Sequence, residues 1–399
     1  MFIRDIKVGV ISNSRKEHTV GIELTTYEGK FACSAPSGKS KGKNEVPCYN
    51  RNGLIRSVKL TRAFAKTLIH KNFILKNLDD IKQLTDLIGH FEKRYGLFGG
   101  NIRYILEGVF LKAAAKDRNL ELWQFINNDV NAGKKPKIPM PVGNCIGGGL
   151  HSPKINGKRP DFQEFLLIPN EKTFSHAVTL NLKAYTLARK ILKTSKTNDE
   201  SAWTTTKTNE EVLEILKKVA KKYKLRIGLD VAASTFFKKG YYKYKNKELI
   251  RDKVDQADYL EKIIKKFKIF YVEDPMEESD FSGFKEIKNN VSKKTLIVGD
   301  DLTTTNIKYV RRGVGSNAIN AMIIKPNQIG SILEVKKVVE YCKDNKIKMI
   351  FSHRSGETMD SILADYCIGF GGNFIKAGIY GRHRLIKLKR IMDIEKSLK

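Results

Sequence analysis

The feature that most constrains the fold is a series of short apolar runs that each stop on a polar residue. Four of them end at Asp230, Glu273, Asp300 and Lys325, and a fifth ends on residues 352–355. Between the first four ends lie about 25 to 43 residues with a Lys- and Glu-rich helical pattern. A continuous apolar run is typical of a strand buried on both faces, and this spacing matches a repeated strand–helix unit.

Such a repeat predicts a (β/α) barrel, in which the carboxyl ends of the strands converge on one face. Barrel enzymes keep their chemistry on that face. We therefore expect a single pocket to be lined by Asp230, Glu273, Asp300, Lys325 and the group His353-Arg354-Ser355.

A smaller domain is predicted ahead of the barrel. Residues 1 to about 60 alternate with a period of two, which indicates antiparallel strands, whereas residues 79–127 carry a helical pattern. Chain breakers and charges in residues 133–139 then suggest a boundary. The expected organisation is α/β overall, with an α+β domain over residues 1–132 and a barrel over residues 133–399.

Composition points to a globular protein. The chain has 399 residues, of which 41% are hydrophobic and 29% charged. No apolar run approaches the roughly 18 residues that span a bilayer, and residues 1–7 lack the apolar stretch of a signal peptide, which predicts a cytoplasmic location. Five scattered cysteines with no C-x-x-C pair argue against disulfides and a thiolate metal site.

The net charge of +31 would favour polyanionic partners such as nucleic acid. Lysines are spread over nearly every predicted helix, however, which favours a solvated surface. The best local patch is residues 236–245, where aromatic residues interleave with lysines as in single-strand binders. Because this patch directly follows an acidic strand end, a hairpin in a barrel loop is the favoured interpretation.

The strand ends suggest a reaction at a metal ion. Three carboxylates suit a hard cation, and Mg²⁺ is preferred when the substrate carries phosphate. Lys325 ends an apolar strand, so burial and a nearby metal would lower its pKa and make it a plausible general base. Arg354 and Ser355 offer a fork of donors and a hydroxyl that suit a phosphate group.

Motifs in the same order along nearly the whole chain resemble those of the enolase family, the phosphopyruvate hydratases. They are Ser14-Arg15 with Thr19-Val20, Pro36-Ser37-Gly38 with Ser40, Gln163-Glu164-Phe165, Asp199-Glu200, residues 228–234, Glu273-Asp274-Pro275, residues 299–303, residues 325–330, residues 352–358 and Ile375-Lys376. The last four of these motifs, from residue 299 onward, are the most specific to the family.

The resemblance implies the reversible dehydration of 2-phosphoglycerate to phosphoenolpyruvate, in an enolase-type barrel and with two Mg²⁺ per active site. It implies that Asp230, Glu273 and Asp300 hold the first Mg²⁺, that Lys325 is the base, and that Glu200 is the acid beside Glu164. The remaining implied roles are Lys376 at the substrate carboxylate, Arg354 and Ser355 at the phosphate, Gln163 and His353 as substrate contacts, and Ser40 and His151 on mobile loops, with Ser40 also meeting the second Mg²⁺. A homodimer is also implied.

Some positions depart from the family pattern. The expected Gly-Asp-Glu-Gly-Gly is Asn198-Asp199-Glu200-Ser201-Ala202, and the segment from His151 to Gln163 is longer than expected. Two alternatives therefore stay open at this point. One is a polyanion- or RNA-binding protein on an inactive enolase scaffold, against which Lys325 and Glu200 count; the other is a related enzyme acting on a different carboxylate, against which Arg354 and Ser355 count.

Overall fold

The N-terminal region combines a small sheet with helices. The computed structural model describes residues 1–39 and 42–398. Its antiparallel sheet consists of β1 (Asp5–Ser12), β2 (His18–Thr25) and β3 (Lys30–Ser34) in that order. The helices that follow are α1 (Gly53–Leu68), α2 (Lys82–Tyr95), α3 (Gly100–Asp117) and α4 (Leu122–Val130).

The period-two pattern is confirmed only for the first part of this region. In β2 the alternate residues Val20, Ile22 and Leu24 are buried, as a half-buried strand requires. The prediction of strands up to about residue 60 is wrong, because α1 begins at Gly53. There the buried residues fall at helical spacing and pack as one face of the helix.

A closed barrel forms the rest of the chain. Within residues 42–398 its eight strands are β4 (Met140–Gly147), β5 (Glu164–Ile168), β6 (Arg226–Asp230), β10 (Tyr271–Glu273), β11 (Leu296–Gly299), β12 (Ala321–Ile324), β13 (Lys348–Ser352) and β14 (Phe374–Lys376). The helices around them are α5 (Phe174–Leu192), α6 (Asn209–Tyr223), α7 (Lys253–Phe267), α8 (Phe281–Asn290), α9 (Ile307–Gly315), α10 (Pro326–Ile329), α11 (Ile332–Asp344), α12 (Ile362–Phe370) and α13 (Arg382–Ser397). The apolar runs of the sequence are therefore buried parallel strands, as predicted.

One barrel strand runs against the others. β5 pairs antiparallel with both β4 and β6, and Glu164 at its start lies opposite Asp230 at the end of β6. The reversal places the beginning of β5 at the same end of the barrel as the carboxyl ends of its neighbours. Gln163, which directly precedes β5, and Glu164, its first residue, therefore reach the pocket.

The lysine- and aromatic-rich patch of residues 236–245 belongs to a small sheet above β6. This sheet consists of β7 (Phe237–Lys238), β8 (Tyr241–Tyr244) and β9 (Leu249–Arg251), which confirms the predicted hairpin. Phe236, Tyr242 and Tyr244 are buried against the barrel. Their rings thus serve packing and do not form a surface on which bases could stack. Among the described residues, none of the helices has the length and apolar character needed to cross a membrane.

Candidate active site

Most of the predicted residues line one cavity at the carboxyl end of the barrel, whereas Glu273 and Asp300 lie behind its lining, in ion pairs with Lys376 and Lys325. A loop of the N-terminal region covers it, since Ser37 and Gly356 exchange backbone hydrogen bonds of 2.8 Å each. The cavity is lined by Gly38, His151, Gln163, Glu164, Glu200, Asp230, Lys325, Ser352, His353, Arg354, Ser355 and Lys376. Ser40, expected at the second Mg²⁺, lies outside the described residues.

Lys376 is surrounded by carboxylates. Its Nζ lies 2.9 Å from Asp230 Oδ2, 2.9 Å from Glu273 Oε2 and 3.2 Å from Glu164 Oε2. Burial lowers the pKa of Lys376, but these acids raise it by more than burial lowers it. The net pKa is therefore well above its ordinary value. The ammonium group is therefore a fixed positive charge, placed where a substrate carboxylate could share it.

Lys325 makes an ion pair with Asp300, whose other oxygen accepts a hydrogen bond of 3.1 Å from Gln328 Nε2. The expectation of a lowered pKa for Lys325 is not met by the protein groups alone. Burial does lower the pKa, but the Asp300 carboxylate outweighs it and the net shift is upward. Only a group that neutralises Asp300 would free Lys325 to act as a base.

The carboxylates at this end of the barrel fit a cation. Burial and the neighbouring Asp230 raise the pKa of Glu273 to about 8, and burial with Asp300 raises that of Asp301 to about 8. Such shifts mean that negative charge is crowded in a low-dielectric place, where a hard cation would stabilise it. An all-oxygen donor set suits Mg²⁺.

The side chains whose ligand atoms lie closest together are not the three carboxylates expected to hold the first Mg²⁺. In the described part of the chain, two groups of three side chains bring ligand atoms within 4.8 Å of one another, namely His151 with Glu164 and Glu200, and Asp274 with Asp300 and Asp301. The trio Asp230, Glu273 and Asp300 is not such a group. Lys376 makes ion pairs with Asp230 and Glu273, and Lys325 makes one with Asp300. Asp274 accepts hydrogen bonds from the backbone N of Asp300 and Asp301, at 3.0 and 2.8 Å, and so fixes the end of β11.

Glu164 and Glu200 form a pair with divergent proton affinities. Burial, followed by the charge of Glu200, raises the pKa of Glu164 well above its ordinary value. Burial also acts to raise the pKa of Glu200, but His151, with Nδ1 3.2 Å from Glu200 Oε1, and His353 outweigh it, so the net pKa is well below its ordinary value. Pairs whose pKa values are pushed apart in this way are typical of acid–base sites.

His353 is held as a neutral imidazole. Arg384, which can only donate, lies with Nη1 2.9 Å from His353 Nδ1, so the ring proton must sit on Nε2. Burial and Arg384 lower the pKa of His353 well below its ordinary value. The Nε2–H therefore faces Glu200 Oε2 at 3.6 Å.

The hydroxyl group of Ser355 can donate a hydrogen bond to an anion. Its hydroxyl oxygen accepts hydrogen bonds from Arg15 Nη1 at 2.6 Å and from the backbone N of Lys39 at 2.9 Å. With two donors on the oxygen, the hydroxyl hydrogen is left to point toward the cavity. Arg354, which follows β13 with Ser355, adds a guanidinium to the same side.

Several residues of this site were not found from the sequence. Glu45 binds Arg354, Arg384 orients His353, and Asn144 Nδ2 donates to Glu200 Oε2 at 3.1 Å. Arg384 lies in the first turn of α13, among several other basic residues, so nothing in the sequence pattern separates it from solvated neighbours. Asn144 and Glu45 sit in segments without a clear period.

Comparison with known proteins gives the family of the chain. Residues 135–399 match the family model described as the enolase C-terminal TIM barrel domain. The chain is 36% identical to the enolase of Thermoplasma acidophilum, covering 99% of this chain and 98% of that protein. It is 34% identical to the enolase of Methanosphaera stadtmanae, with 99% and 97% covered, and 33% identical to that of Picrophilus torridus, with 99% of each covered. The chain therefore belongs to the enolase family and is a hydro-lyase of the phosphopyruvate hydratase type.

Proposed function

We propose that this enzyme interconverts 2-phosphoglycerate and phosphoenolpyruvate in glycolysis and gluconeogenesis, with Lys325 as the general base. The observation that carries the proposal is that one cavity joins Lys325, Lys376, the pair Glu164 and Glu200, and the donors Arg354 and Ser355. Each charged part of the substrate then has a partner of opposite sign, and both proton transfers have a candidate group.

The first step removes the proton next to the substrate carboxylate. That proton is very weakly acidic, because its loss adds negative charge to an anion. Lys376 is already a fixed cation in the cavity, and it would hold the carboxylate oxygens while Lys325 accepts the proton at Nζ.

The metal proposal concerns Asp230, Glu273 and Asp300. These residues would hold the first Mg²⁺, which when bound supplies positive charge to the developing dianionic carboxylate. Their crowded, buried carboxylates fit a cation of this kind. Lys325 would lose its tight pairing when Asp300 binds metal, which is the condition for it to act as a base. A second Mg²⁺ with Ser40 among its ligands follows from the family resemblance.

The second step expels the hydroxide from the neighbouring carbon and needs an acid. The proton affinities of the two buried carboxyls Glu164 and Glu200 diverge, because burial and the charge of Glu200 raise the pKa of Glu164, whereas His151 and His353 lower the pKa of Glu200. We assign Glu200 as the group that delivers the proton, with Glu164 as its reservoir. Asn144 donates a hydrogen bond to the Glu200 carboxylate, and ring nitrogens of His151 and His353 lie 3.2 and 3.6 Å from its oxygens.

Binding of the phosphate is assigned to Arg354 and Ser355, where Arg15 adds a further positive charge nearby. Gln163 Nε2 lies 3.3 Å from Asp230 Oδ2 and would position both the metal ligand and the substrate. This phosphate site favours 2-phosphoglycerate over a carboxylate that lacks phosphate. The inactive polyanion-binding alternative is not favoured, since no residue proposed for base, acid or metal has been replaced.

Isotope exchange separates the two proton transfers. In ²H₂O, proton NMR of 2-phosphoglycerate should show loss of the signal next to the carboxylate with wild-type enzyme and with Glu200→Gln, whereas elimination should fail in Glu200→Gln. Lys325→Ala should lose both exchange and elimination. Exchange that persists in Lys325→Ala would assign the base elsewhere.

A homodimer is expected from the family resemblance. Light scattering of the purified protein gives the mass directly. A mass of about 91 kDa, twice the 45.4 kDa of the chain, is the expected result.

A further inference from the structure

The loop that carries Glu200 contains an asparagine where the family pattern leads one to expect glycine. Asn198 is buried, and its side-chain Oδ1 accepts hydrogen bonds from the backbone N of Glu200 and of Ala202, each at 2.9 Å. One amide oxygen therefore fixes the backbone on both sides of the proposed acid. A glycine in this place could make neither bond.

The nitrogen of the same side-chain amide contacts a different loop. Asn198 Nδ2 donates to Ser152 Oγ at 3.1 Å, and Ser152 directly follows His151. His151 in turn contacts Glu200, with Nδ1 3.2 Å from Oε1. The side chain of Asn198 thus connects the backbone of the Glu200 loop with the loop that supplies its histidine partner.

Two nearby residues of the same chain, Gly147 and Ser201, bear on this connection. Gly147 lies so close to Asn198 that a Cβ at position 147 would overlap the amide. Ser201 adopts φ +62°, a left-handed conformation that costs free energy for any residue with a Cβ. The family pattern has glycine at this position, and a glycine adopts a positive φ without strain. This chain has a serine there, in a loop that the side-chain amide of Asn198 holds in place.

We propose that Asn198 is a positioning residue that couples the Glu200 loop to the His151 loop and so holds the acid and its histidine in one arrangement. The proposal rests on the proposed function for the role of Glu200. Of the three positions in this loop where the family pattern has glycine, the proposal concerns two: the amide of Asn198 compensates for the strained backbone conformation of Ser201 by holding the loop in place.

Steady-state kinetics of four variants test the coupling. Asn198→Gly should lower kcat by about 100-fold with KM changed less than about 3-fold, because a small misplacement of a reacting group affects the chemical step most. Ser152→Ala removes only the link to the His151 loop and should lower kcat by about 10-fold. The double variant should be no worse than Asn198→Gly alone, since both changes break the same connection. Asn198→Gly with Ser201→Gly restores glycine at both places and should recover part of the lost kcat.

Asn156→Gly is the matched control. Asn156 lies in the same loop as His151, is exposed, and has a positive φ that glycine adopts without strain. The kinetics of this variant should equal those of the wild type. If Asn198→Gly kept the wild-type kcat, or if its effect and that of Ser152→Ala simply multiplied in the double variant, the coupling would be refuted.

Amide hydrogen exchange gives a readout that does not depend on turnover. In Asn198→Gly, exchange should become faster in both residues 198–203 and residues 147–153, while the rest of the barrel stays protected. Faster exchange confined to residues 198–203 would overturn the proposal, because Asn198 would then support only its own loop. If the wild type showed no turnover, the proposed function would fail, yet the exchange data would still decide whether the two loops are coupled.

Discussion

Glu45 receives two parallel hydrogen bonds from Arg354: Nη1 lies 3.0 Å from Oε2 and Nη2 lies 3.1 Å from Oε1. Both side chains are almost fully buried. Glu45 also accepts hydrogen bonds from the backbone N of Gly42 at 3.1 Å and from Gln328 Nε2 at 3.4 Å. A carboxylate of the N-terminal region therefore fixes the guanidinium proposed to bind phosphate, and joins that region to the barrel.

Removal of this carboxylate should weaken both substrate binding and stability. In Glu45→Ala a buried guanidinium loses a partner, which costs about 3 kcal/mol in comparable pairs. We expect a lower melting temperature and a KM for 2-phosphoglycerate raised by about 10-fold. Glu28→Ala removes the same charge from an exposed position and serves as the control. Equal effects of the two variants would mean that net charge, and not the pair with Arg354, is responsible.

Gly38 should be irreplaceable for a related reason. A Cβ at this position would overlap the guanidinium of Arg354, so Gly38→Ala should displace Arg354 and raise KM by about 10-fold or more. Gly89, inside α2, has open space around it, and Gly89→Ala should stabilise the protein by about 0.8 kcal/mol through helix propensity. Thermal melts and kinetics of both variants check the contrast. Wild-type kinetics in Gly38→Ala would contradict the assigned position of Arg354.

Glu107 should make stability depend on pH. It is buried in α3 and accepts a hydrogen bond of 2.6 Å from the backbone N of Ile332, and burial raises its pKa to about 8. Between pH 4.5 and about 8 the folded state keeps a proton on Glu107 that the unfolded chain has lost, so the contribution of this residue to stability is greatest at low pH and falls as pH rises toward 8. The slope is at most about 1.4 kcal/mol per pH unit for one proton.

The isosteric variant isolates this effect. Glu107→Gln keeps an acceptor for Ile332 but cannot titrate, so its free energy of unfolding should fall less between pH 5.5 and 8 than that of the wild type, by urea denaturation at each pH. Parallel pH profiles of the two proteins would show that Glu107 does not carry a raised pKa.

Lys325→Ala should separate chemistry from metal binding. Loss of the general base should lower kcat by at least about 100-fold. Mg²⁺ binding, measured by calorimetry, should be kept or become tighter, because Asp300 loses the cation that competes for it. An active variant would contradict the assignment of the base, and loss of Mg²⁺ binding would contradict the independence of the two roles.

The strand ends could be predicted because each combines two signals. An apolar run that is too short for a buried helix and is followed by an acid or lysine defines both a strand and its functional end, and Asp230, Glu273 and Lys325 were found in this way. The convergence of these ends then follows from the closure of a parallel barrel. The boundary between residues 132 and 133 stays a prediction.

Other parts of the site depend on contacts that a local pattern does not carry. The antiparallel direction of β5 is set by pairing with β4 and β6, which a strand with four apolar residues does not encode. Glu45 and Arg354 are 309 positions apart in sequence, and their pairing arises only when the N-terminal region packs on the barrel. The start of α1 at Gly53 differs from the prediction because the alternating pattern holds only for β1 to β3 and ends at the loop that follows them.

The most direct test of the central claim is the ultraviolet absorbance of the conjugated enol phosphate when purified protein meets 2-phosphoglycerate. The account predicts a steady rise with Mg²⁺ present, its arrest by excess chelator, and its return when Mg²⁺ is added again. No rise in a folded, Mg²⁺-replete sample would contradict the assigned reaction, and a rise that the chelator leaves unchanged would contradict the assigned metal.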